Sequence, residues 1–309
     1  RKSFDFEAAE EIFRELEFMR LMGQLNEFRD ESAYAETATV DKNYQLIDSQ
    51  EKLDNLVKKL TVAELVSMDI ESTSTDPMQA EIVGFSFAIT AHAGWYIPVH
   101  FPEKEKPLIK GDDDLTIVLK ALKPLFEDEK IAKCGQHLKY DSLILKNHGI
   151  EVAGIEFDSL ISAHLLKPEA RSYKLDYLSE EFLHYRMQPI TDLIGSGRKQ
   201  ITMAEVPLEK VTFYASEDAD IALQLVPLLQ DKLAEAELDE FMKKVELPLI
   251  SSLVQMEQNG VYVDSRMMTE MSQWMEKKLD DFSRDIFTLS GMEFNLNSTQ
   301  QLATILFDH

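Results

Sequence analysis

The sequence predicts an α/β fold, a mixed sheet flanked by helices, followed by an all-helical segment. Three observations carry this. Between residues 42 and 236, short β-rich runs alternate with amphipathic helical runs. Within that region, Leu65-Val66-Ser67-Met68 leads into Asp69-Ile70-Glu71, an apolar strand that carries charge on one side. Beyond residue 240 the strands disappear and only helical periodicity remains.

Taken in order, residues 4–28 read as a helix, because Phe6, Ile12, Phe13, Leu16, Phe18, Met19 and Met22 recur at helical spacings among many Glu. Residues 29–41 are polar and aperiodic, as in a linker. Tyr44–Ile47 is a short strand, and Ser49 caps a helix that runs to Leu60. Leu65–Glu71 is the charged strand. Ile82–Thr90 and Trp95–Val99 form a hairpin across Ala91-His92-Ala93-Gly94. Leu115–Phe126 is an amphipathic helix, Ile131–Cys134 a short strand, and Leu138–Lys146 a helix closed by Gly149. Ser159–Leu166 is a helix stopped by Pro168, and Lys174–Leu183 is another. Residues 184–206 are irregular. Leu208–Leu238 is strongly helical and admits a bend at Pro227. Phe241–Gln258 is helical up to Asn259-Gly260, Asp264 caps a long helix to about Leu289, and Asn297 or Ser298 opens a last one.

The 309 residues allow two domains or one large one, and 44% hydrophobic content allows a sizeable core. There is no run of about 18 apolar residues, so no membrane partner is expected. One cysteine, Cys134, excludes an internal disulfide and fits a reducing cytoplasm. Scattered His and a single Cys argue against zinc. The net charge of −24 argues against a broad grip on nucleic acid, though not against a small site that holds a strand end through metal ions. The chain begins without Met and ends on Phe307-Asp308-His309, as expected of a piece of something longer.

In a strand, side chains alternate faces, so Val66, Met68 and Ile70 point one way and Ser67, Asp69 and Glu71 the other. Two close carboxylates on a half-buried strand repel each other and lose solvation. A hard divalent cation relieves both costs. Asp141, just after a short strand, and Asp218, inside the long helix, are further acidic positions. Tyr214 lies four residues before Asp218, on the same helix face. Phosphodiester hydrolysis needs an activated water and neutralised oxygens, which two metal ions can provide, and about four carboxylates can hold two such ions. On spacing alone the bland alternative is favoured over a metal site. There are 56 acidic residues; Asp69 and Glu71 could lie on a solvated edge, and Glu217-Asp218-Ala219-Asp220 on a solvated helix face. Tyr140 and Tyr214 could be ordinary core or rim aromatics.

Three motifs occur in a fixed order: Asp69-Ile-Glu71-Ser-Thr73, then Gly135-Gln-His-Leu-Lys-Tyr-Asp141, then Tyr214-Ala-Ser-Glu-Asp218-Ala-Asp220. They resemble the three exonuclease motifs of the proofreading domain in the bacterial DNA polymerase I family, a DEDD set with tyrosine in its third motif. His184 is the nearest His before Asp218, too far away to replace that tyrosine. The resemblance extends along the chain. Phe13-Arg-Glu-Leu-Glu-Phe18 is similar to the tail of the preceding 5′-nuclease region. Val245-Glu-Leu-Pro-Leu-Ile with Met256-Glu-Gln-Asn-Gly-Val-Tyr-Val-Asp264 is similar to the opening of the polymerase domain, and Glu293–Phe307 to its early thumb.

The resemblance implies a ribonuclease H-like fold over 42–236, a preceding helical tail and linker over 1–41, and a truncated helical start of a polymerase domain over 237–309. It implies removal of 3′-terminal nucleotides from single-stranded DNA with two Mg²⁺ or Mn²⁺ ions, and no polymerase active site in this chain. Asp69, Glu71 and Asp218 would hold one ion, Asp69 and Asp141 would share the other, and Tyr214 would position the water. Gln136, His137, Lys139 and Tyr140 fall where relatives line the single-strand channel. His137 stands where Asn is usual, and Thr75 is smaller than the apolar side chain expected to wedge between terminal bases. Primer-template DNA would be held mainly through the polymerase domain, by a monomer in the bacterial cytoplasm near the nucleoid. Rival readings are a ribonuclease D-like RNA exonuclease and a non-catalytic scaffold domain.

Overall fold

The computed structural model describes residues 41–101 and 114–307, with scattered positions between 9 and 18. The helix expected over 4–28 and the linker over 29–41 lie largely outside these residues. The chain divides into two units, residues 1–258 and 259–309.

The first unit is built on a six-stranded mixed sheet. Its strands are β1 (Asn43–Leu46), β2 (Val66–Ser72), β3 (Ile82–Thr90), β4 (Ala93–Pro98), β5 (Lys133–Gly135) and β6 (Ile155–Asp158), in the order β1-β4-β3-β2-β5-β6. β2–β3 and β3–β4 are antiparallel; β1–β4, β2–β5 and β5–β6 are parallel. β2 therefore lies inside the sheet. Asp69 and Glu71 do not sit on a solvated edge, which removes the surface reading of that pair.

One face of the sheet is large and apolar. Val66, Met68, Ile70, Phe85, Phe87 and Ile97 pack against α1 (Gln50–Thr61) and α2 (Asp114–Glu127), through Leu53, Leu56, Leu60, Val118, Leu122 and Phe126. The spacing 53-56-60 is a helical stripe, which is why this segment folds as a helix and buries that side. Ser49 caps α1 as expected, its hydroxyl accepting from the Lys52 N–H. α3 (Leu138–Asn147) follows β5, and α4 (Ser159–Leu166) follows β6 and ends before Pro168.

The opposite face carries small residues. Register places Asp69 beside Ser86, which pairs on its other side with Tyr96, Ser67 beside Ala88, and Glu71 beside Gly84. α5 (Leu208–Glu235) lies across this face and runs unbroken through Pro227. At Gly94 a Cβ would stand 2.9 Å from the Ser216 carbonyl, so the close approach of helix to strand needs glycine. At Gly84 a Cβ would fall on the Tyr96 phenol, which is 1% exposed. We predict that Gly84→Ala costs about 1–3 kcal/mol by overpacking, read as a lowered urea midpoint at unchanged slope. An unchanged midpoint would show that the ring has another place to go.

Three features differ from the sequence reading. β6 has only four residues and two apolar positions, too short for a periodic signal. The strand expected over 131–134 shifts to Lys133–Gly135. Lys133 is fully buried, its Nζ donating to the carbonyls of Asp128, Ile131 and Ala153 at 2.7–2.9 Å. The irregular stretch after residue 184 contains one short helix, Ile190–Ile194, and two single turns. The first unit closes with α6 (Leu247–Asn259).

The second unit holds α7 (Ser265–Ser290) and α8 (Thr299–Phe307). Asp264 caps α7, accepting from the Met267 N–H at 3.0 Å, and Gly291 ends it in the left-handed conformation.

Candidate active site

The carboxylates singled out in the sequence come from three elements. β2 supplies Asp69 and Glu71 on its small-residue face, and α5 supplies Tyr214 and Asp218. One oxygen each from Asp69, Glu71 and Asp218 lies within 4.8 Å of the others. Asp141, in the first turn of α3, is not one of these three; it is buried, and after burial the charges of Asp69, Asp158 and Glu71 raise its pKa.

Electrostatically the cluster is uncompensated. Burial pushes Asp69 up to about 6, against hydrogen bonds from Ser86 and the Ile70 N–H. Burial first, then the neighbouring carboxylates, hold Glu71, Asp141 and Asp218 well above the usual range. No cation counters this at any of the four among the described residues. Glu71 Oε1 and Asp141 Oδ2 are buried without a hydrogen-bond partner. Native proteins rarely leave such atoms bare, and an oxygen-rich set with orphaned acceptors suits a hard divalent ion. Tyr214 is hydrogen-bonded to Asp218; burial and then that carboxylate raise its pKa, so the phenol keeps its proton.

The turn before α3 brings together the other predicted residues. His137 is left-handed (φ 64°), and its ring stacks on Tyr140 with centroids 6.0 Å apart and planes 24° apart. The Tyr140 hydroxyl shares a hydrogen bond with Ser72 Oγ at 2.6 Å and donates to the Ser74 carbonyl. Gln136 is engaged within the protein: its amide donates to the Tyr173 carbonyl at 2.7 Å and accepts from the Ser159 hydroxyl. Lys139 pairs with Glu257 of α6. Thr75 is exposed at the loop after β2.

Sequence reasoning passed over three buried carboxylates nearby. Glu217 accepts from Lys42 at 2.6 Å, from the Tyr185 hydroxyl at 2.5 Å and from the Gln188 N–H at 2.8 Å. Asp220 accepts from the Tyr44 hydroxyl and the His92 N–H, each at 2.8 Å, which ties the β3–β4 turn to α5. These two and Asp218 are therefore not a solvated face. Asp158, at the end of β6, is 0% exposed and caps two helices. Asp followed by Ser at the start of a helical run was the available signal for Asp158.

Residues 44–234 match the family described as 3′-5′ exonuclease, the exonuclease domain of family-A DNA polymerases. The chain belongs to this 3′-5′ exonuclease family. DNA polymerase I of Pseudomonas aeruginosa is 35% identical over 309 residues, covering 98% of this chain and 34% of the relative. DNA polymerase I of Rhizobium leguminosarum is 35% identical over 269 residues, covering 82% of this chain and 26% of the relative. The exonuclease chain thus spans about a third of the length of the first relative and a quarter of the second. Two solved structures share the fold. The POL domain of Pol1 from M. smegmatis, in complex with DNA primer-template and dNTP, has a TM-score of 0.63 at 20% identity, over 83% of this chain and 39% of that one. Brucella melitensis NrnC has a TM-score of 0.50 at 17% identity, over 72% of this chain and 98% of that one. The ribonuclease H-like class expected of this exonuclease is borne out by the mixed sheet, its flanking helices and the family match. Among the described residues no helix is long and apolar enough to cross a membrane.

Proposed function

We propose that this exonuclease domain removes nucleotides from the 3′ end of single-stranded DNA as the proofreading part of a longer DNA polymerase I, in replication and repair. The observation that carries the reading is the uncompensated meeting of half-buried Asp69 and Asp218 with buried Glu71 and Asp141. Two Mg²⁺ or Mn²⁺ ions held there would supply an activated water and neutralise the attacking and leaving oxygens. In this reading Asp69, Glu71 and Asp218 would hold one ion, and Asp69 and Asp141 would take part in holding the second.

The chain's own groups then do three things. The Tyr214 phenol, protonated and tied to Asp218, holds the attacking water in line by hydrogen bonding. The apolar packing behind β2 leaves its carboxylates only partly open to water, which strengthens their field. Gln136, His137, Lys139 and Tyr140 line the path of the strand. His137 and Tyr140 offer ring faces for bases, where Thr75 offers none. Residues 42–236 carry the exonuclease, 1–41 precede it, and 237–309 begin the polymerase domain. The chain is read as a monomer working at the bacterial chromosome.

A 3′-trimming assay on 5′-labelled single strands tests this. The expected result is Mg²⁺- or Mn²⁺-dependent shortening of DNA from its 3′ end, faster than that of RNA of the same sequence. A preference for RNA ends would turn the assignment to a ribonuclease D-like enzyme.

The titration shifts give a second test. Asp69 moves from its usual 3.8 up to about 6 on folding, so the folded chain holds a proton that the unfolded chain releases. Its contribution is fully present below about pH 4 and is lost as pH rises through 6. Glu71, Asp141 and Asp218, also held well above the usual range by burial, act in the same direction. With Mg²⁺ present, the carboxylates would give up those protons to hold it. The metal-free chain should therefore melt lower at pH 8 than at pH 6, and Mg²⁺ should raise Tm more at pH 8. Equal Mg²⁺ effects at both pH values would count against the cluster as the ion site.

A further inference from the structure

Asp158 lies outside the carboxylate group yet makes more contacts to backbone amides than any member of it. Its Oδ2 accepts from the Leu138 N–H at 2.7 Å and its Oδ1 from the His137 N–H at 3.3 Å, at the start of α3. The same Oδ1 accepts from the Leu160 and Ile161 N–H groups at 3.0 and 3.1 Å, at the start of α4. One fully buried carboxylate thus joins two helix N-termini. An ordinary cap serves one helix, so the second pair of bonds requires a separate account.

The α3 pair falls on a strained turn. His137 is the residue before α3 and holds a left-handed backbone, which costs a side-chain-bearing residue energy and persists only when its surroundings enforce it. The His137 ring caps nothing, so the strain does not serve the helix end through that side chain. The turn is also confined from below: a Cβ at Gly135 would stand 2.6 Å from both the Met68 carbonyl and the Leu138 side chain. What the enforced turn delivers is the first turn of α3, with His137 laid on Tyr140 and Asp141 beside β2.

We propose that Asp158 is a positioning residue for the exonuclease site. By holding the His137 and Leu138 amides it fixes the left-handed turn, and through it the placement of Asp141 toward the metal and of the His137–Tyr140 pair toward the strand. The inference rests on the reading of Asp141 as a metal ligand.

Mn²⁺ binding to the 309-residue chain, followed by electron paramagnetic resonance, tests it without relying on activity. Asp158→Asn keeps the shape but sets donor groups against amide N–H groups. Expected is a folded chain whose Mn²⁺ affinity falls about tenfold or more, the scale of losing an outer-shell partner. Its KM for single-stranded DNA should rise more than its kcat falls. Adding His137→Gly should restore most of the Mn²⁺ affinity, because glycine takes the left-handed turn unaided. That rescue would not occur if Asp158 merely stabilised the fold. Should Asp158→Asn not fold, Asp158→Ser replaces it, since serine still caps α4 but does not reach α3. Mn²⁺ affinity within about twofold of the original in either folded variant, or no recovery in the double variant, overturns the proposal. Asp141→Ala keeps the two ideas apart. Normal trimming by that variant sinks the site reading itself, whereas its inactivity beside normal Mn²⁺ binding in Asp158→Asn sinks only the role of Asp158.

Discussion

Replacing Asp141 by Ala is expected to lower 3′ trimming by about a thousandfold or more, on the scale seen when one preorganised charge-stabilising group is lost from an active site. The fold should survive. Asp141 is 2% exposed, its Oδ2 has no hydrogen-bond partner, and its nearest influences are other carboxylates. Removing it therefore takes away repulsion rather than a bond. In EDTA the isosteric Asp141→Asn should unfold at a higher temperature than the original chain, while in Mg²⁺ the order should reverse. This double result separates a metal ligand from a structural aspartate, whose loss would lower Tm in both conditions. Trimming at an undiminished rate by Asp141→Ala would refute the assignment of the site.

Glu217→Ala should produce the largest loss of stability, about 3 kcal/mol, in the range for breaking one side of a buried ion pair. Its carboxylate is 1% exposed and Lys42 17%, so the lysine left behind is mostly cut off from water. The Tyr185 hydroxyl and the Gln188 N–H lose their acceptor as well. Denaturant unfolding would show a lower midpoint. A shift below about 0.5 kcal/mol, the level of an exposed surface pair, would mean that water reaches Lys42 freely. Glu217→Gln should recover part of the loss, because the amide oxygen can still accept from Tyr185 or Gln188.

Much of this was legible before any coordinates. β2 and its carboxylates followed from strand alternation, α1 from its Ser49 cap, α7 from Asp264, and the Tyr214–Asp218 pairing from helix spacing. What the sequence left open was long-range. Periodicity says that Asp69 and Glu71 share a face, but not that β2 is internal, because that depends on strand order across residues far apart. The same limit applied to Glu217, Asp218 and Asp220. A run of acids looks solvated until their partners Lys42, Tyr44 and His92, more than 120 residues away, are brought to them. Gln136 shows the converse. Its place in the second motif made it a candidate for the strand channel, whereas the Tyr173 carbonyl and the Ser159 hydroxyl occupy both ends of its amide. β6 went unseen because four residues carry too little pattern.

The acids at 217, 218 and 220 have a joint consequence. Successive residues on a helix are turned by about 100°, so the three point in separate directions from one shaft. Two are moored by partners from β1, the β3–β4 turn and the loop after residue 184, and only the third faces β2. The moorings fix the rotational phase of the long helix. Apolar contacts alone tolerate some roll, but a roll of one residue would drive Glu217 toward β2, strand Lys42 and uncouple His92. The angular setting of Asp218 and Tyr214 is thus held like a shaft keyed at two points, independently of whatever ion or strand later arrives between them.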